Sequence, residues 1–149
     1  MTFFSRTYEL IEVRPGYHLN LIIGPNGTGK SSIVCAVVLG LGGKTKTLAR
    51  GDQLSSYVKS GCDQSLIEIE LYNGADKSVV IRRQISSSNQ SQFYVNNATA
   101  TVAKINEIRK EFNIQIDNLC TFLPQEKVQD FAKLNPQQLL EQTEQTVGA

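Results

Sequence analysis

The sequence of 149 residues predicts an α/β fold, because a strand, a glycine-rich loop and a helix follow one another directly near its start. The apolar run Leu19–Ile23 has the character of a buried strand of the parallel type. The glycine-rich loop 24–31 follows it. The segment from Lys30 to Leu41 is apolar nearly all round, which predicts a helix buried against a sheet. This order of elements is typical of a nucleotide-binding core.

The loop matches the phosphate-binding pattern G-x-x-x-x-G-K-[ST] with Gly24, Pro25, Asn26, Gly27, Thr28, Gly29, Lys30 and Ser31, and Ser32 follows. Its glycines let backbone N–H groups turn toward phosphate oxygens, at which the helix also directs its positive N-terminal end. Lys30 should meet the β- and γ-phosphates, and Ser31 a magnesium ion. A glycine-rich turn between two core elements is the alternative. A dinucleotide fingerprint fits poorly, because Ser32 stands where that motif requires a glycine.

Composition is that of an ordinary globular chain, with 40% apolar residues, 19% charged residues and a net charge of +1. The longest apolar run, 33–41, is too short to span a bilayer, and the start of the chain shows no secretory signal. Cys35, Cys62 and Cys120 are widely separated, which favours core thiols in a reducing compartment over disulfides or a zinc site. For His18, the single histidine, we expect a surface or packing role.

Before the loop, the sequence predicts a strand at 8–13. After it, the sequence predicts a β-hairpin of 65–72 and 78–85, a mobile polar loop at 86–92, and a strand at 93–95 with a turn at Asn96-Asn97. The C-terminal part is predicted to contain a helix at 101–113 capped by Thr101, a buried strand at 119–123, a short helix at 124–134, and an exposed helix from Asn135-Pro136 onward. The stretch 44–59 carries Lys44, Lys46, Arg50 and Lys59 against Asp52 alone, and is either a solvated loop or a contact surface.

Two parts of a nucleotide-hydrolysing core are missing from this pattern. Such a core needs more parallel strands, and it needs an acidic residue at the end of an apolar strand. Glu68 and Glu70 lie within a strand candidate, but they alternate with apolar residues, which is typical of a solvated sheet face. We therefore predict no catalytic residue in this chain.

The loop Gly24–Ser32 resembles that of the ABC-type ATPases, and specifically the heads of structural maintenance of chromosomes (SMC) proteins. The block Asn118–Leu134, together with 30–36 and 48–51, is similar to the group of fifth SMC proteins of eukaryotes. The resemblance implies a P-loop NTPase fold of ABC/SMC type. Residues 1–149 would form the N-terminal lobe of a head, with a β-hairpin subdomain, and would approach a coiled coil after about residue 135.

In that family the chain folds back through a long antiparallel coiled coil, so N- and C-terminal segments make one head. The lobe should therefore be incomplete without the C-terminal half, which would supply the catalytic acid. The resemblance further implies that Asn26 to Ser32 wrap the phosphates and that Ser31 ligates Mg²⁺. Gln125 matches the Q-loop glutamine that completes the magnesium shell; a neutral carbonyl oxygen suits a hard cation. Arg50 would act on a phosphoryl group across a head dimer or on DNA backbone, with a surface salt bridge as the alternative.

The function implied is the ATP-binding half of an ATPase head that drives DNA entrapment in chromosome maintenance and DNA repair. ATP and Mg²⁺ would be its cofactors. Partners would be the C-terminal half, the sixth SMC protein, a kleisin and other non-SMC subunits, and DNA, on chromosomes in the nucleus. Hydrolysis would require both the C-terminal half and a partner head, so the isolated chain should be weak or inactive. The alternatives are a non-catalytic fragment that binds a partner or DNA, and a small P-loop kinase.

Overall fold

The computed structural model describes residues 2–3, 10–48, 52–72, 74 and 78–147. Within these ranges six strands form one antiparallel sheet in the order β2-β1-β3-β4-β5-β6. The strands are β1 (Thr2–Phe3), β2 (Ile11–Glu12), β3 (Gln64–Tyr72), β4 (Ser78–Ser86), β5 (Ser91–Val95) and β6 (Ala98–Ala100). The helices are α1 (Lys30–Gly40), α2 (Val102–Glu111), α3 (Val128–Ala132) and α4 (Pro136–Thr146), with 3₁₀ turns at Thr45–Leu48, Leu54–Tyr57 and Gln125–Lys127.

The predicted hairpin of β3 and β4 is confirmed over its whole length. Ile69 lies opposite Ile81 in the register, and both side chains are buried on the inner face. Glu68 points to the other face, where its carboxylate accepts a hydrogen bond from the guanidinium of Arg82, and Glu70 is exposed. Period-two alternation therefore places the two glutamates on the solvated face, as predicted.

The connection between β4 and β5 is shorter than predicted. Instead of a mobile loop over 86–92, a tight turn joins the strands, closed by a hydrogen bond of 2.8 Å from the Ser86 N–H to the Gln90 carbonyl. β5 then begins at Ser91. The predicted turn at Asn96-Asn97 is confirmed, with φ angles of 49° and 69° that suit a tight hairpin turn. β6 follows it; the short Ala-Thr-Ala segment gave no periodic signal.

The helix after the loop is confirmed and packs against β3 and β4. Its side chains at Val38 and Leu39 are fully buried, whereas Val34 is 37% exposed, so burial is not all round. Among the described residues, the shared core holds 15 buried apolar side chains (Cys35, Ala36, Val38, Leu39, Leu41, Leu48, Val58, Ile67, Ile69, Ile81, Ile85, Phe93, Ile105, Ile108 and Ile116). Helix α2 is also confirmed, and the Thr101 hydroxyl accepts from the Lys104 N–H at 3.3 Å.

The prediction of a buried parallel strand at Leu19–Ile23 is wrong for the described structure. The segment belongs to no strand, and the side chains of Leu19, Leu21 and Ile23 are 97%, 79% and 82% exposed. A parallel strand is buried only when strands flank it and layers cover both faces. The antiparallel sheet of the described residues provides neither, because β3 and the strands beside it pair without this segment.

Further corrections concern 119–123 and the cysteines. Residues 119–121 form turns rather than a buried strand, and Leu123 is 43% exposed, because the Thr121 and Phe122 N–H groups bond back to the Asn118 carbonyl. Cys35 is buried, but Cys62 and Cys120 are exposed, since Cys62 follows the turn at 60–61 and Cys120 lies in a turn, both outside the core. His18 is exposed, which agrees with a surface role. Of the strand predicted at 8–13, Ile11–Glu12 is confirmed, and residues 8 and 9 lie outside the described residues.

The C-terminal helices are confirmed. A 3₁₀ turn and α3 occupy the predicted short helix, and α4 begins at Pro136 behind an Asn135 cap. The Asn135 side chain accepts from the Gln138 N–H at 2.8 Å, and the Gln138 side chain accepts from the Asn135 N–H at 3.0 Å. This reciprocal pair is a capping box. Of the helices in the described ranges, none has the length and apolar character needed to cross a membrane.

Candidate functional site

The phosphate-binding pattern forms an exposed turn that runs directly into α1. Gly27 and Gly29 have φ angles of +85° and +89°, a left-handed conformation that glycine adopts without a steric penalty. Gly29 is also the N-cap of α1, and its carbonyl accepts from the N–H groups of Ser32 and Ile33 at 2.9 and 3.3 Å. The two glycines therefore form the sharp turn through which the loop leads into α1.

Lys30 lies over this loop. Its ammonium group donates to the carbonyls of Gly24 and Pro25, at 2.6 and 2.7 Å, and the Thr28 hydroxyl donates to the Pro25 carbonyl at 2.8 Å. The side chain is therefore folded back across the turn and is not extended into solvent. Its positive charge is concentrated where the pattern predicts phosphate oxygens.

The electrostatic environment of the loop favours an anion. Helix α1 starts at Lys30, its first turn contains no acidic residue, and its unpaired N–H groups form the positive end of the helix dipole. Ser31 and Ser32 occupy this first turn and are half-buried. Lys30, the helix end and the backbone N–H groups together provide the donors that a polyphosphate requires.

Gln125 stands at the first residue of the 3₁₀ turn behind the buried Pro124 and is exposed. Within the described ranges, the side chains of Ser31 and Gln125 form no hydrogen bonds with protein groups, and none joins Gln125 to the loop. Their neutral oxygens suit Mg²⁺, which takes few protein ligands and completes its shell with phosphates and water. No cluster of three or more His, Cys, Asp or Glu side chains in these ranges could hold a metal ion instead.

The basic stretch is only partly described. Arg50, the candidate for contact with a phosphoryl group or DNA, lies outside the described residues. Lys44 and Lys46 are exposed around the 3₁₀ turn Thr45–Leu48, whose last residue is buried in the core. Lys46 and Lys127 line one open cavity of about 330 Å³, together with Asp117 and Asp130. The lining therefore carries balanced charge.

One charged residue with a clear structural environment, Arg83 on β4, was not singled out from the sequence. It is 7% exposed, and its guanidinium donates from Nη1 to the Leu39 carbonyl near the end of α1 at 2.8 Å. A second donor, Nη2, reaches the Ser91 hydroxyl at 3.2 Å, and the group stacks over the Phe93 ring at 4.7 Å from the centroid. Burial lowers the pKa of Arg83 to about 10, which leaves it charged at neutral pH. The available signal was its register: Arg83 shares the inner face with Ile81 and Ile85.

Comparison with known proteins gives consistent similarities. A family model described as an AAA domain matches residues 4–148. The chain is 46% identical over 143 residues to structural maintenance of chromosomes protein 5 of Arabidopsis thaliana, which is 95% of this chain and 14% of that protein. It is 44% identical over 141 residues to protein 5 of Schizosaccharomyces pombe, 95% of this chain and 13% of that protein. Human structural maintenance of chromosomes protein 6 is 32% identical over 130 residues, 78% of this chain and 12% of that protein.

Solved structures show the same fold. One from work on ATP-driven dimerization and DNA-stimulated activation of SMC ATPases superposes with a TM-score of 0.81 at 22% identity, covering 97% of this chain and 95% of that chain. The two chains are thus of nearly equal length. An Smc head bound to the C-winged helix domain of ScpA gives a TM-score of 0.67 at 27% identity, covering 75% of this chain and 38% of that chain. The chain spans about one seventh of the length of the two curated protein 5 relatives from Arabidopsis thaliana and Schizosaccharomyces pombe.

Proposed function

The chain belongs to the SMC family of AAA-domain proteins, and we propose that it is the ATP-binding half of an SMC-type ATPase head, acting with ATP and Mg²⁺. The observation that carries the proposal is the loop itself. Lys30 lies over a glycine turn at the positive end of α1, with no acidic residue in the first helical turn. That arrangement favours phosphate. Ser31 and Gln125 are proposed as the Mg²⁺ ligands, because their oxygens form no hydrogen bonds within the described ranges.

The site is proposed to be composite. Hydrolysis needs an acidic group that holds the attacking water, and we expect that group on a C-terminal half of the head. The exposed run around Leu21 and Ile23, which leads into the loop, supports such a complement, because apolar side chains at a strand-like segment gain from burial between strands. We expect the isolated chain to bind Mg-ATP weakly and to turn it over slowly or not at all.

The biological setting is part of the same proposal. Similarity to the fifth and sixth SMC proteins supports a role in DNA entrapment for chromosome maintenance and DNA repair, with the sixth SMC protein as heterodimer partner. The related head bound to the C-winged helix domain of ScpA supports a kleisin among further non-SMC subunits. The proposal also includes contact with DNA, a location on chromosomes in the nucleus, and a coiled coil that begins after about residue 135.

A non-catalytic role is the second candidate. It is favoured by one observation: Glu68, the acidic residue centred in the sheet, forms an ion pair with Arg82 on the solvated face and is not part of the loop. A fragment that only bound a partner or DNA would need no acid at all. The two candidates differ in whether nucleotide turnover appears when the head is completed.

Co-expression decides between them. The chain is produced alone and together with a C-terminal head segment of an SMC protein 5, and Mg-ATP binding and phosphate release are measured. We expect turnover from the assembled pair, abolished by Lys30→Ala and retained by Lys104→Ala. Lys104 is an exposed helix lysine paired with Glu107, which makes it the matched control. Robust turnover by the chain alone contradicts the composite site, and a pair that forms but neither binds nor hydrolyses ATP supports the non-catalytic candidate.

Arg50 requires its own test. If its guanidinium contacts DNA or a phosphoryl group of a partner head, Arg50→Ala should reduce DNA-stimulated turnover in the assembled pair while Mg-ATP affinity stays largely intact. Lys59→Ala, which removes a positive charge from the same basic stretch, serves as the comparison. An unchanged response to DNA assigns Arg50 to a surface salt bridge.

A further inference from the structure

A buried guanidinium sits at the far end of the phosphate-loop helix. Within the described part of the chain Arg83 forms no ion pair, and its Nε is buried without a hydrogen-bond partner. Burial of an unpaired charge is unfavourable unless polar groups compensate it. Two groups compensate it: the Ser91 hydroxyl, 3.2 Å from Nη2, and the Leu39 carbonyl, 2.8 Å from Nη1, in the last turn of α1, where the helix dipole is negative. The shorter of the two hydrogen bonds therefore reaches the end of α1.

The same end of α1 is in close contact with the neighbouring strand. A Cβ added at Gly40 would lie 2.5 Å from Cδ1 of Ile69 and 2.9 Å from Cγ2 of Ile67, so the backbone approaches β3 as closely as only glycine permits. On the other side of the guanidinium, the Phe93 ring of β5 provides a face 4.7 Å away. The last turn of α1 is thus held by β3, which packs against Gly40, and by β4 through Arg83, whose guanidinium packs on Phe93 of β5. We call the set Gly40, Arg83 and Phe93 the α1 clamp.

The clamp lies one helix length from the loop. Helix α1 has 11 residues, so the Leu39 carbonyl and the Lys30 Cα are separated by about 15 Å along a rigid element. On the other side of the loop, the run 19–23 belongs to no strand. The described structure therefore secures the loop through α1. A shift of α1 along the sheet would move Lys30 and Ser31 together.

We infer that Arg83 is a positioning residue for phosphate binding: through the Leu39 carbonyl it holds α1 against the antiparallel sheet, so that Lys30 and Ser31 keep the geometry the phosphates require. The inference rests on the proposed function. It assigns the β-hairpin sheet a role in the nucleotide site without any direct contact between the two. Displacements on the order of 1 Å at such sites have large effects on binding and catalysis.

The test uses the chain assembled with the C-terminal head segment. Arg83→Met removes the charge and its donors, whereas Arg83→Lys keeps the charge and one donor group. Arg82→Met is the matched control, because Arg82 precedes Arg83 on β4 but lies on the solvated face beside Glu68. Urea unfolding gives the stability of each variant, and calorimetric titration with Mg-ATP well below the unfolding temperature gives the Kd of the folded protein.

We expect Arg83→Met to raise the Kd for Mg-ATP about ten-fold, Arg83→Lys to restore part of that loss, and Arg82→Met to leave it within about two-fold. A purely structural role would lower stability and leave the Kd of the folded protein unchanged; that result overturns the inference. If Arg83→Met does not fold, the test uses Arg83→Lys and Phe93→Leu instead. Unchanged Kd values for Mg-ATP in both of these variants then overturn the inference. Lys30→Ala distinguishes failure of the proposed nucleotide site from failure of the Arg83 inference. If Lys30→Ala leaves Mg-ATP binding intact, the proposed nucleotide site is wrong; if Lys30→Ala abolishes binding and the Arg83 variants do not weaken it, only the Arg83 inference is wrong.

Discussion

Gly27→Ala tests whether the loop conformation described here is the one that binds phosphate. Gly27 has a φ of +85°, and a Cβ added there meets nothing within 4 Å, so the substitution changes backbone preference without a clash. An L-residue in the left-handed region is disfavoured by about 1–2 kcal/mol. If the exposed loop of the variant relaxes when free, binding must restore the native φ. That loss corresponds to an affinity reduced about 5- to 30-fold.

Gly61→Ala is a matched control for this experiment. Gly61 has a φ of +83° and also has nothing within 4 Å of an added Cβ, but it lies on the connection before β3. Both substitutions therefore carry the same backbone penalty. Calorimetric titration of Mg-ATP into the assembled head should show the loss of affinity in Gly27→Ala alone. Urea unfolding should show a loss of at most about 1–2 kcal/mol in either variant.

The outcomes separate local from global effects. D-alanine can be introduced at position 27 by chemical ligation at Cys35. Because a D-residue prefers positive φ, this variant should restore wild-type affinity for Mg-ATP. Wild-type affinity in the L-alanine variant would mean that phosphate is bound by another loop conformation, which refutes the reasoning. An equal loss in Gly27→Ala and Gly61→Ala would mean that the effect reaches the site through overall stability.

The remaining predictions concern the core, a cap and the metal. Ile81→Ala should lower the free energy of unfolding by about 2–5 kcal/mol, because the side chain is fully buried at the sheet centre; Tyr72→Ala on the exposed end of β3 should change it far less. Asn135→Ala should cost about 1 kcal/mol by removing the capping box of α4, with Asn135→Ser as the tolerated variant in urea unfolding. Gln125→Ala should weaken ATP binding in Mg²⁺ but not in EDTA, because its proposed contact is to the metal; equal weakening in both buffers would remove Gln125 from the metal site.

Sequence patterns predicted those elements whose stabilising contacts lie close in the chain. Alternation of Glu68 and Ile69 with their neighbours gave the hairpin and its faces, because strand pairing and burial there arise from adjacent segments. The turn at Asn96-Asn97 followed from residues that tolerate positive φ. The loop was equally local: Gly29 and Lys30 adopt the turn and the helix start that the pattern requires.

Patterns failed where the deciding contact is remote. The apolar run 19–23 has strand character, but burial depends on flanking strands, which sequence periodicity cannot supply. The exception is local: residues 119–123 are as apolar as a core strand, yet hydrogen bonds from the Thr121 and Phe122 N–H groups to the nearby Asn118 carbonyl fold them into turns. Arg83 was missed because its partner, the Leu39 carbonyl, lies 44 residues away on another element. Period-two alternation with Ile81 and Ile85 indicates the inner face for Arg83, but it does not reveal that partner.

The two sides of the loop lead to a final prediction. On one side α1 is buried and clamped, whereas on the other the run containing Leu21 and Ile23 is exposed. If a C-terminal half covers that run, it should order the loop and raise the affinity for Mg-ATP. By linkage, Mg-ATP must then strengthen association of the two halves by the same factor.

Measurement of both affinities in one system checks this equality. The Kd of the two halves is determined with and without saturating Mg-ATP, and the Kd for Mg-ATP with and without the C-terminal half. Leu21→Asp should weaken association of the halves and, in the isolated chain, leave Mg-ATP binding unchanged, because the side chain there is 79% exposed already. A matched substitution at Tyr17, which is 95% exposed and lies outside the run 19–23, should affect neither. Halves that associate equally well with and without nucleotide would show that the covered run does not order the loop, so that α1 and its clamp alone set the phosphate geometry.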